Sequence, residues 1–294
     1  MDGEGFRTSP PLADLGKRAA SLPHTLQSPS ASAAEFVDAR LNAKALDLYP
    51  GDVPADLATA YAMQDTAIEL WPDEIAGWKI GLITPEHRAT FGGERIAGPI
   101  FKGQIQTARS GDTVDVPVFR GGFAAVEAEF VLAISRDTPT APRAWTAEEA
   151  AEYAGAMHIG IELAGSPFKA INDHGPAVTA SDFGNNAGLV IGPEIAGWRE
   201  APLDSLTAEM SIDGVRVGTG SAAALPGGPF SALAFILEHC ARRGKRLAKG
   251  QLISTGATTG VHKIEAGQIA RVDFGSNGVM SCRAVAASPQ RVRR

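Results

Sequence analysis

The chain has 294 residues, of which 44% are hydrophobic and 20% charged, a balance typical of a soluble globular protein with one large domain or two. Its net charge of −6 excludes the basic surface of a nucleic-acid-binding protein, and no apolar run approaches the roughly 18 residues of a membrane helix. With two cysteines and no basic-then-apolar signal pattern at the N-terminus, we predict a cytoplasmic protein in a reducing compartment.

The first quarter of the chain divides into an irregular part and a helical part. Residues 1–32 are rich in Gly, Pro, Ser and Ala without periodicity, which predicts a flexible extension. Apolar residues then recur at helical spacing up to Leu48 and predict a helix that ends at Tyr49-Pro50-Gly51. A second helix follows, with Asp52 as its predicted N-cap. We predict a small helical region at residues 33–76, a β-rich domain at 77–286 and a tail at 287–294.

One lysine lies inside a predicted strand. The apolar, glycine-flanked run from Gly77 to Ile83 predicts a short strand that contains Lys79. A lysine in such a strand is costly unless its ammonium group reaches water or pairs with an anion. Lys79 is therefore a candidate for binding an anionic group, with a snorkelling side chain as the alternative.

The stretch from Val126 to Ile134 is the most informative in the chain. It predicts a strand buried on both faces, because apolar and β-branched residues run through it without Gly or Pro. Side chains alternate along a strand, so Glu127 and Glu129 share one face, about 7 Å apart at their Cα atoms. Two buried carboxylates this close must share a proton, meet cations or bind a metal such as Mg²⁺. The alternative is a strand edge where both glutamates are solvated.

Further elements follow in the second half of the chain. Residues His158–Gly165 predict a second glutamate-bearing strand, which contains Glu162. The other local signals are a capping box at Thr146–Glu149, an Asp213-Gly214 hairpin turn, and a helix at Pro229–Arg243 that ends at Gly244.

Five segments, taken in order, resemble a known family. Together they look like the 2-keto-4-pentenoate hydratase family, within the fumarylacetoacetate hydrolase superfamily. The segments are Gly77-Trp78-Lys79-Ile80-Gly81-Leu82, Val126-Glu127-Ala128-Glu129-Phe130, Ile161-Glu162-Leu163, Leu252-Ile253-Ser254-Thr255-Gly256 and Ala270-Arg271-Val272-Asp273-Phe274-Gly275.

The resemblance implies an α+β fold, with a mixed β-roll or barrel-like core that forms the catalytic domain and a small helical N-terminal part. It also implies a Mg²⁺ or Mn²⁺ cofactor held by Glu127, Glu129 and Glu162. The family's active-site lysine falls on Lys79.

Two departures from the family pattern concern the site. A Pro-Asp-aromatic-Gly segment, whose Asp serves in proton transfer, is replaced here by Arg95-Ile96-Ala97-Gly98, and an Asp-Ser-Arg run is replaced by Gly165-Ser166-Pro167. Candidates to replace the Asp are Glu94, His87, His174 and His262; we favour His174 and His262, because histidine titrates near neutral pH. Ser254 and Thr258 are candidates to donate hydrogen bonds to the substrate.

The function that the resemblance implies is a lyase of aromatic-compound catabolism. The implied enzyme is a metal-dependent hydratase that acts on 2-hydroxy-2,4-dienoate or 2-oxo-alkenoate substrates through a metal-stabilised enolate. The alternatives are a 2-oxo-3-hexenedioate-type decarboxylase, an acylpyruvate-type C–C hydrolase and a non-catalytic metal-binding accessory subunit. The resemblance further implies a homo-oligomer and a decarboxylase or hydratase partner.

Overall fold

A computed structural model describes residues 29–290 of the chain. The helices lie at Pro29–Leu41 (α1), Leu57–Leu70 (α2), Pro85–Phe91 (α3), Ala147–Ala151 (α4), Pro176–Ser181 (α5) and Gly228–Arg242 (α6). The strands lie at Ile75–Leu82 (β1), Arg95–Phe101 (β2), Ile105–Thr107 (β3), Thr113–Val118 (β4), Phe123–Ile134 (β5), Ala154–Ser166 (β6), Asn186–Glu194 (β7), Thr207–Ile212 (β8), Val215–Ser221 (β9), Leu252–Ser254 (β10), His262–Lys263 (β11), Ile269–Asp273 (β12) and Val279–Ala286 (β13).

The strands of this part of the chain form two mixed sheets that share one core. The first has the order β2-β1-β10-β5-β6-β7-β3, with β11 also paired to β5, and the second has the order β4-β13-β12-β8-β9. Phe130 of the first sheet meets Phe274 of the second edge to face, with ring centroids 5.7 Å apart. Helix α6 covers this core with Leu233, Ile236 and Leu237. The predicted mixed β-roll with a small helical N-terminal part is confirmed.

The first two helices differ from their predicted bounds. Helix α1 ends at Leu41, and Ala43 then adopts a left-handed φ of 52°, so the apolar spacing that continues to Leu48 is not helical. Leu46 instead pairs with the segment after β6, donating its N–H to the Pro167 carbonyl at 2.9 Å. Asp56, rather than Asp52, caps α2, because its Oδ1 accepts the Thr59 N–H at 2.7 Å.

Several local signals appear where the sequence predicts them. The Thr146–Glu149 capping box is formed in both directions at the start of α4, although this helix is short and ends at Ala151. Asp213 and Gly214, with φ values of 48° and 80°, form the turn between β8 and β9. Helix α6 ends two residues before Gly244, whose φ is 67°.

Of the predicted flexible extension, residues 29–32 belong to α1, and residues 1–28 lie outside the described part. Residues 291–294 of the predicted tail also lie outside it. The division into a helical region, a β-rich domain and a tail stays a prediction. No helix within residues 29–290 is long and apolar enough to cross a membrane.

A buried ion pair fastens α1 to the first sheet. The Arg40 guanidinium, 3% exposed, donates to both carboxylate oxygens of Asp182 at 2.5 and 2.9 Å. It also donates to the carbonyls of Gly165 and Asn186, each at 2.9 Å. Asp182 accepts a further hydrogen bond from the Ser166 hydroxyl at 2.6 Å. The helical N-terminal part is therefore joined to the ends of β6 and β7.

Replacing Arg40 with Met should lower the free energy of unfolding by about 3–5 kcal/mol, because Asp182 would stay buried without its cation. Chemical denaturation of the full chain measures this change. The matched control is Lys44→Met, which removes an ion pair whose partners are 64% and 61% exposed. It should change stability by less than about 0.5 kcal/mol. Equal effects of the two substitutions would contradict the importance of the Arg40 network.

Candidate metal centre

Three glutamates converge on one face of the first sheet. Glu127 of β5 lies directly opposite Glu162 of antiparallel β6, and Glu129 lies two residues further along the same face. Each contributes a carboxylate oxygen, and these oxygens all lie within 4.8 Å of one another. Glu127 is 6% exposed and the other two are fully buried. The alternative of solvated glutamates at a strand edge is therefore wrong.

Apolar side chains on both sides bury the three carboxylates. Along β5, Val131 packs with Ile100 and Leu189 beyond Glu129. In the other direction, Phe123 and Ala125 belong to a second apolar cluster. These clusters remove water from the carboxylates, so the charges need partners inside the protein or a bound cation.

The protein partners satisfy only some of the carboxylate oxygens. Oε2 of Glu129 accepts hydrogen bonds from the Ser254 hydroxyl at 2.5 Å and the Gly256 N–H at 2.9 Å. Oε1 of Glu162 accepts from Asn186 Nδ2 at 3.0 Å and lies 3.4 Å from Lys79 Nζ. Oε1 of Glu129 and Oε2 of Glu162 are buried and have no hydrogen-bond partner within residues 29–290. Unpartnered oxygens on two carboxylates of one cluster fit a hard divalent cation.

The electrostatics of the metal-free site agree with this fit. Burial, together with the neighbouring Glu162, raises the pKa of Glu127 to about 8 and that of Glu129 well above its usual range. Burial opposes the charge of Lys79, but the fields of the three carboxylates outweigh it and raise the lysine pKa. One ammonium group cannot balance three carboxylates, so without a divalent cation the site retains protons. The arrangement is that of a divalent-metal site.

Metal binding should therefore depend on pH. Below a pH of about 8, Glu127 is protonated in the metal-free protein, and a cation must displace that proton. The affinity for Mg²⁺ should thus rise with pH across the range below about 8, by up to about tenfold per pH unit for each released proton. Calorimetry in buffers of different ionisation enthalpy measures both the affinity and the proton release. An affinity that is constant from about pH 6.5 to about pH 8 would contradict this expectation.

A cavity of about 520 Å³ leads to the carboxylates. Lys79 of β1 and Glu127 of β5 line it, together with Glu86 and His87 of α3. The half-buried His87 ring meets Phe91 edge to face, with ring centroids 6.0 Å apart. Gly175 lies close to the same ring: a Cβ atom placed on this glycine would be 3.8 Å from the His87 Cε1 atom. An acid–base side chain on α3 therefore shares a cavity with Lys79 and Glu127.

The two histidines favoured by the sequence lie outside this cavity. His174 is exposed and stacks on Phe168, with ring centroids 5.7 Å apart. His262 pairs with Val126, which places its side chain on the face of β5 opposite the carboxylates. Its Nε2 lies 3.0 Å from the Thr259 carbonyl oxygen. Glu94, another candidate, does not line the cavity either, and its side chain is 63% exposed. His87 is the candidate that the structure brings to the cavity.

The predicted substrate-binding hydroxyls have other surroundings. The Ser254 hydroxyl is used by Glu129, so its observed role is to orient a carboxylate. Thr258 is 4% exposed and does not line the cavity, and its hydroxyl is buried without a hydrogen-bond partner within the described residues. Ile96, at the position of the family's Asp, lines the cavity with an apolar side chain.

Comparison with known proteins decides the family. The family model described as fumarylacetoacetate (FAA) hydrolase C-terminal matches residues 86–285. The chain belongs to the fumarylacetoacetate hydrolase family. This family member is 29% identical over 272 residues to a 2-oxo-hept-4-ene-1,7-dioate hydratase of Escherichia coli. The aligned region covers 89% of this chain and 98% of the relative. It is 27% identical over 205 residues to a 2-keto-4-pentenoate hydratase of Paraburkholderia phymatum, with 69% and 76% coverage.

Solved structures share the fold of this fumarylacetoacetate hydrolase family member. The 4-oxalocrotonate decarboxylase from Pseudomonas putida G7, complexed with magnesium and adipate, matches with a TM-score of 0.71 and 21% identity. The match covers 87% of this chain and 97% of the decarboxylase. Fumarylpyruvate hydrolase from Pseudomonas aeruginosa, in complex with Mn²⁺ and pyruvate, matches with a TM-score of 0.53 and 17% identity over 71% of this chain and 89% of that chain. The predicted family, fold class and enzyme character are confirmed.

Proposed function

We propose that the chain is a Mg²⁺- or Mn²⁺-dependent hydratase of 2-hydroxy-2,4-dienoate or 2-oxo-alkenoate substrates. The observation that carries this proposal is the set of three buried carboxylates, with two unpartnered oxygens, beside Lys79. Of the three, Glu127 lines the same cavity as Lys79. The names of the curated relatives, both hydratases of 2-oxo or 2-keto alkenoates, support the same reaction class.

The residues of the site would have different roles in such a reaction. A cation held by Glu127, Glu129 and Glu162 would stabilise the negative charge that develops as the substrate becomes an enolate. Lys79 has a raised pKa and is protonated at neutral pH in the metal-free site. It can therefore pair with the substrate carboxylate or donate a proton.

His87 is the residue that we propose for the proton transfer assigned to the missing Asp. It lines the cavity with Lys79, whereas Ile96, at the family position, has no proton to exchange. An imidazole can accept or donate a proton near neutral pH, which suits addition of water to a conjugated double bond. A hydratase, a decarboxylase and a C–C hydrolase share the enolate, so the position of this proton donor helps to select the outcome.

The decisive experiment compares two substrates. The protein with Mg²⁺ is incubated with 2-hydroxypenta-2,4-dienoate and with 2-oxohex-3-enedioate, and the conjugated absorbance and the product masses are followed. Metal-dependent addition of water supports the hydratase, and loss of CO₂ supports the decarboxylase. If neither compound is consumed although calorimetry shows a filled metal site, the result favours the alternative of a metal-binding accessory subunit.

Replacing Lys79 with Met should lower kcat/KM by about ten- to 150-fold, because a charge-assisted hydrogen bond to the substrate is worth roughly 1.5–3 kcal/mol. Steady-state kinetics with saturating Mg²⁺ measures the loss. Lys102→Met is the matched control, because the Lys102 side chain is 73% exposed and lies outside the cavity. If both variants keep the wild-type efficiency, Lys79 neither binds the substrate nor donates the proton.

A further inference from the structure

A second cavity of about 720 Å³ adjoins the one that contains Lys79. Asn172 and Val261 line both cavities, so the two cavities border each other at these residues. The second cavity is also lined by three cationic side chains, from Arg120, Lys169 and Lys263. An elongated ligand anchored at the carboxylate site can therefore extend toward a group of cations.

The register of β11 places one of these cations on the face of the metal site. Lys263 pairs with Ala125 of β5, and directly opposed residues in an antiparallel pair point to the same face. Ala125 precedes Glu127 by two residues, which is about 7 Å along a strand. The long Lys263 side chain thus extends on the same side of the sheet as Glu127 and Glu129. The two carboxylates of a six- or seven-carbon 2-oxo dicarboxylic acid are separated by a comparable distance.

The cations of the second cavity are not used within the described protein. Lys263, Lys169 and Arg120 are exposed, and none lies within ion-pair distance of a carboxylate in residues 29–290. Asp173 and Glu265 line the same cavity but lie beyond that distance from each cation. These three cations are therefore available to an anionic ligand.

We propose that Lys263, together with Lys169, forms a subsite for the distal carboxylate of the substrate. The preferred substrate is then a dicarboxylic 2-oxo or 2-hydroxy acid rather than a monocarboxylic one. This inference rests on the proposed function, because it takes the first carboxylate of the substrate to lie at the metal centre. The second carboxylate pairs with the ammonium group of Lys263 in the second cavity.

The test uses two ligands that differ only at the far end. In the presence of Mg²⁺, calorimetry compares 2-oxoadipate with 2-oxohexanoate, which has a methyl group in place of the distal carboxylate. The wild-type protein should bind 2-oxoadipate roughly three- to tenfold more tightly, as expected for a partly solvated charge pair. This ratio should fall at high ionic strength. It should approach one in Lys263→Gln and fall in Lys169→Gln, whereas Lys249→Gln, at an exposed lysine outside both cavities, should keep it.

Oxalate separates failure of the subsite from failure of the proposed function. It has the chelating end without a tail, so the wild-type protein and all three variants should bind it equally when Mg²⁺ is present. Normal oxalate binding with equal affinities for the two six-carbon acids would overturn the subsite alone. A ratio that survives both Lys263→Gln and Lys169→Gln would overturn it as well. Absence of Mg²⁺-dependent oxalate binding would overturn the proposed function and the subsite together.

Discussion

Replacing Glu129 with Gln should abolish Mg²⁺ binding and, with it, turnover. Glu129 is fully buried, and its Oε2 is held by Ser254 and Gly256. A glutamine oxygen can accept the same two hydrogen bonds, and its NH₂ group would then occupy the position of the unpartnered Oε1. The variant presents a hydrogen-bond donor where the cation needs a carboxylate oxygen.

Stability measurements test whether such a loss is due to unfolding. The pKa of Glu129 is raised in the metal-free site, chiefly by burial, so removal of its charge should not lower the melting temperature of the metal-free protein. Added Mg²⁺ should raise that temperature in the wild type and not in the variant. Glu94→Gln is the control, because this glutamate is 63% exposed and lies outside the cavity. Wild-type Mg²⁺ affinity in Glu129→Gln would rule out this glutamate as a ligand.

Replacing His87 with Gln should lower turnover by about 10²- to 10⁴-fold, the usual contribution of a general acid–base group. The remaining activity should lose the limb of the pH–rate profile that reports the imidazole. Mg²⁺ and oxalate should still bind as in the wild type, because His87 does not contact the three carboxylates through any hydrogen bond in the structure.

His174→Gln is the matched control for His87. It removes an exposed imidazole that stacks on Phe168 outside the cavity, so its activity and pH profile should match those of the wild type. A normal pH profile in His87→Gln, or a large loss in His174→Gln alone, would transfer the proton step to another group. Because Glu86 also lines the cavity, Glu86→Gln is the next variant to measure in that case.

Local features of the site could be predicted from the sequence, whereas features that depend on strand pairing could not. Alternation within one strand places Glu127 and Glu129 on one face, and this holds for any sheet that includes β5. The position of Glu162 opposite Glu127 depends on the register between two separate strands, so it cannot be predicted from the spacing of residues along the chain. The family resemblance predicted the same three residues, and the structure brings them together.

Register also decides which face of β5 His262 lies on. His262 and Lys263 are neighbours in the sequence, and a shift of one residue in the pairing of β11 with β5 would exchange their faces. Nothing in the local sequence distinguishes the two registers. The ion pair between Arg40 and Asp182 was missed for a similar reason, because its partners are 142 residues apart. Pro50 and Gly51 are residues that end helices, but they do not show that α1 has already ended at Leu41.

The alternation of β5 restricts where this chain can gain or lose residues. One residue inserted between Glu127 and Ala128 would turn Glu129 toward Phe274 in the apolar core and Phe130 toward the cavity. A deletion there would do the same, and either change would bury an unpaired carboxylate. Residues 139–144, between β5 and β6, are exposed and carry no such constraint. Length differences among proteins that share this site should therefore collect in that loop, while β5 keeps a constant number of residues.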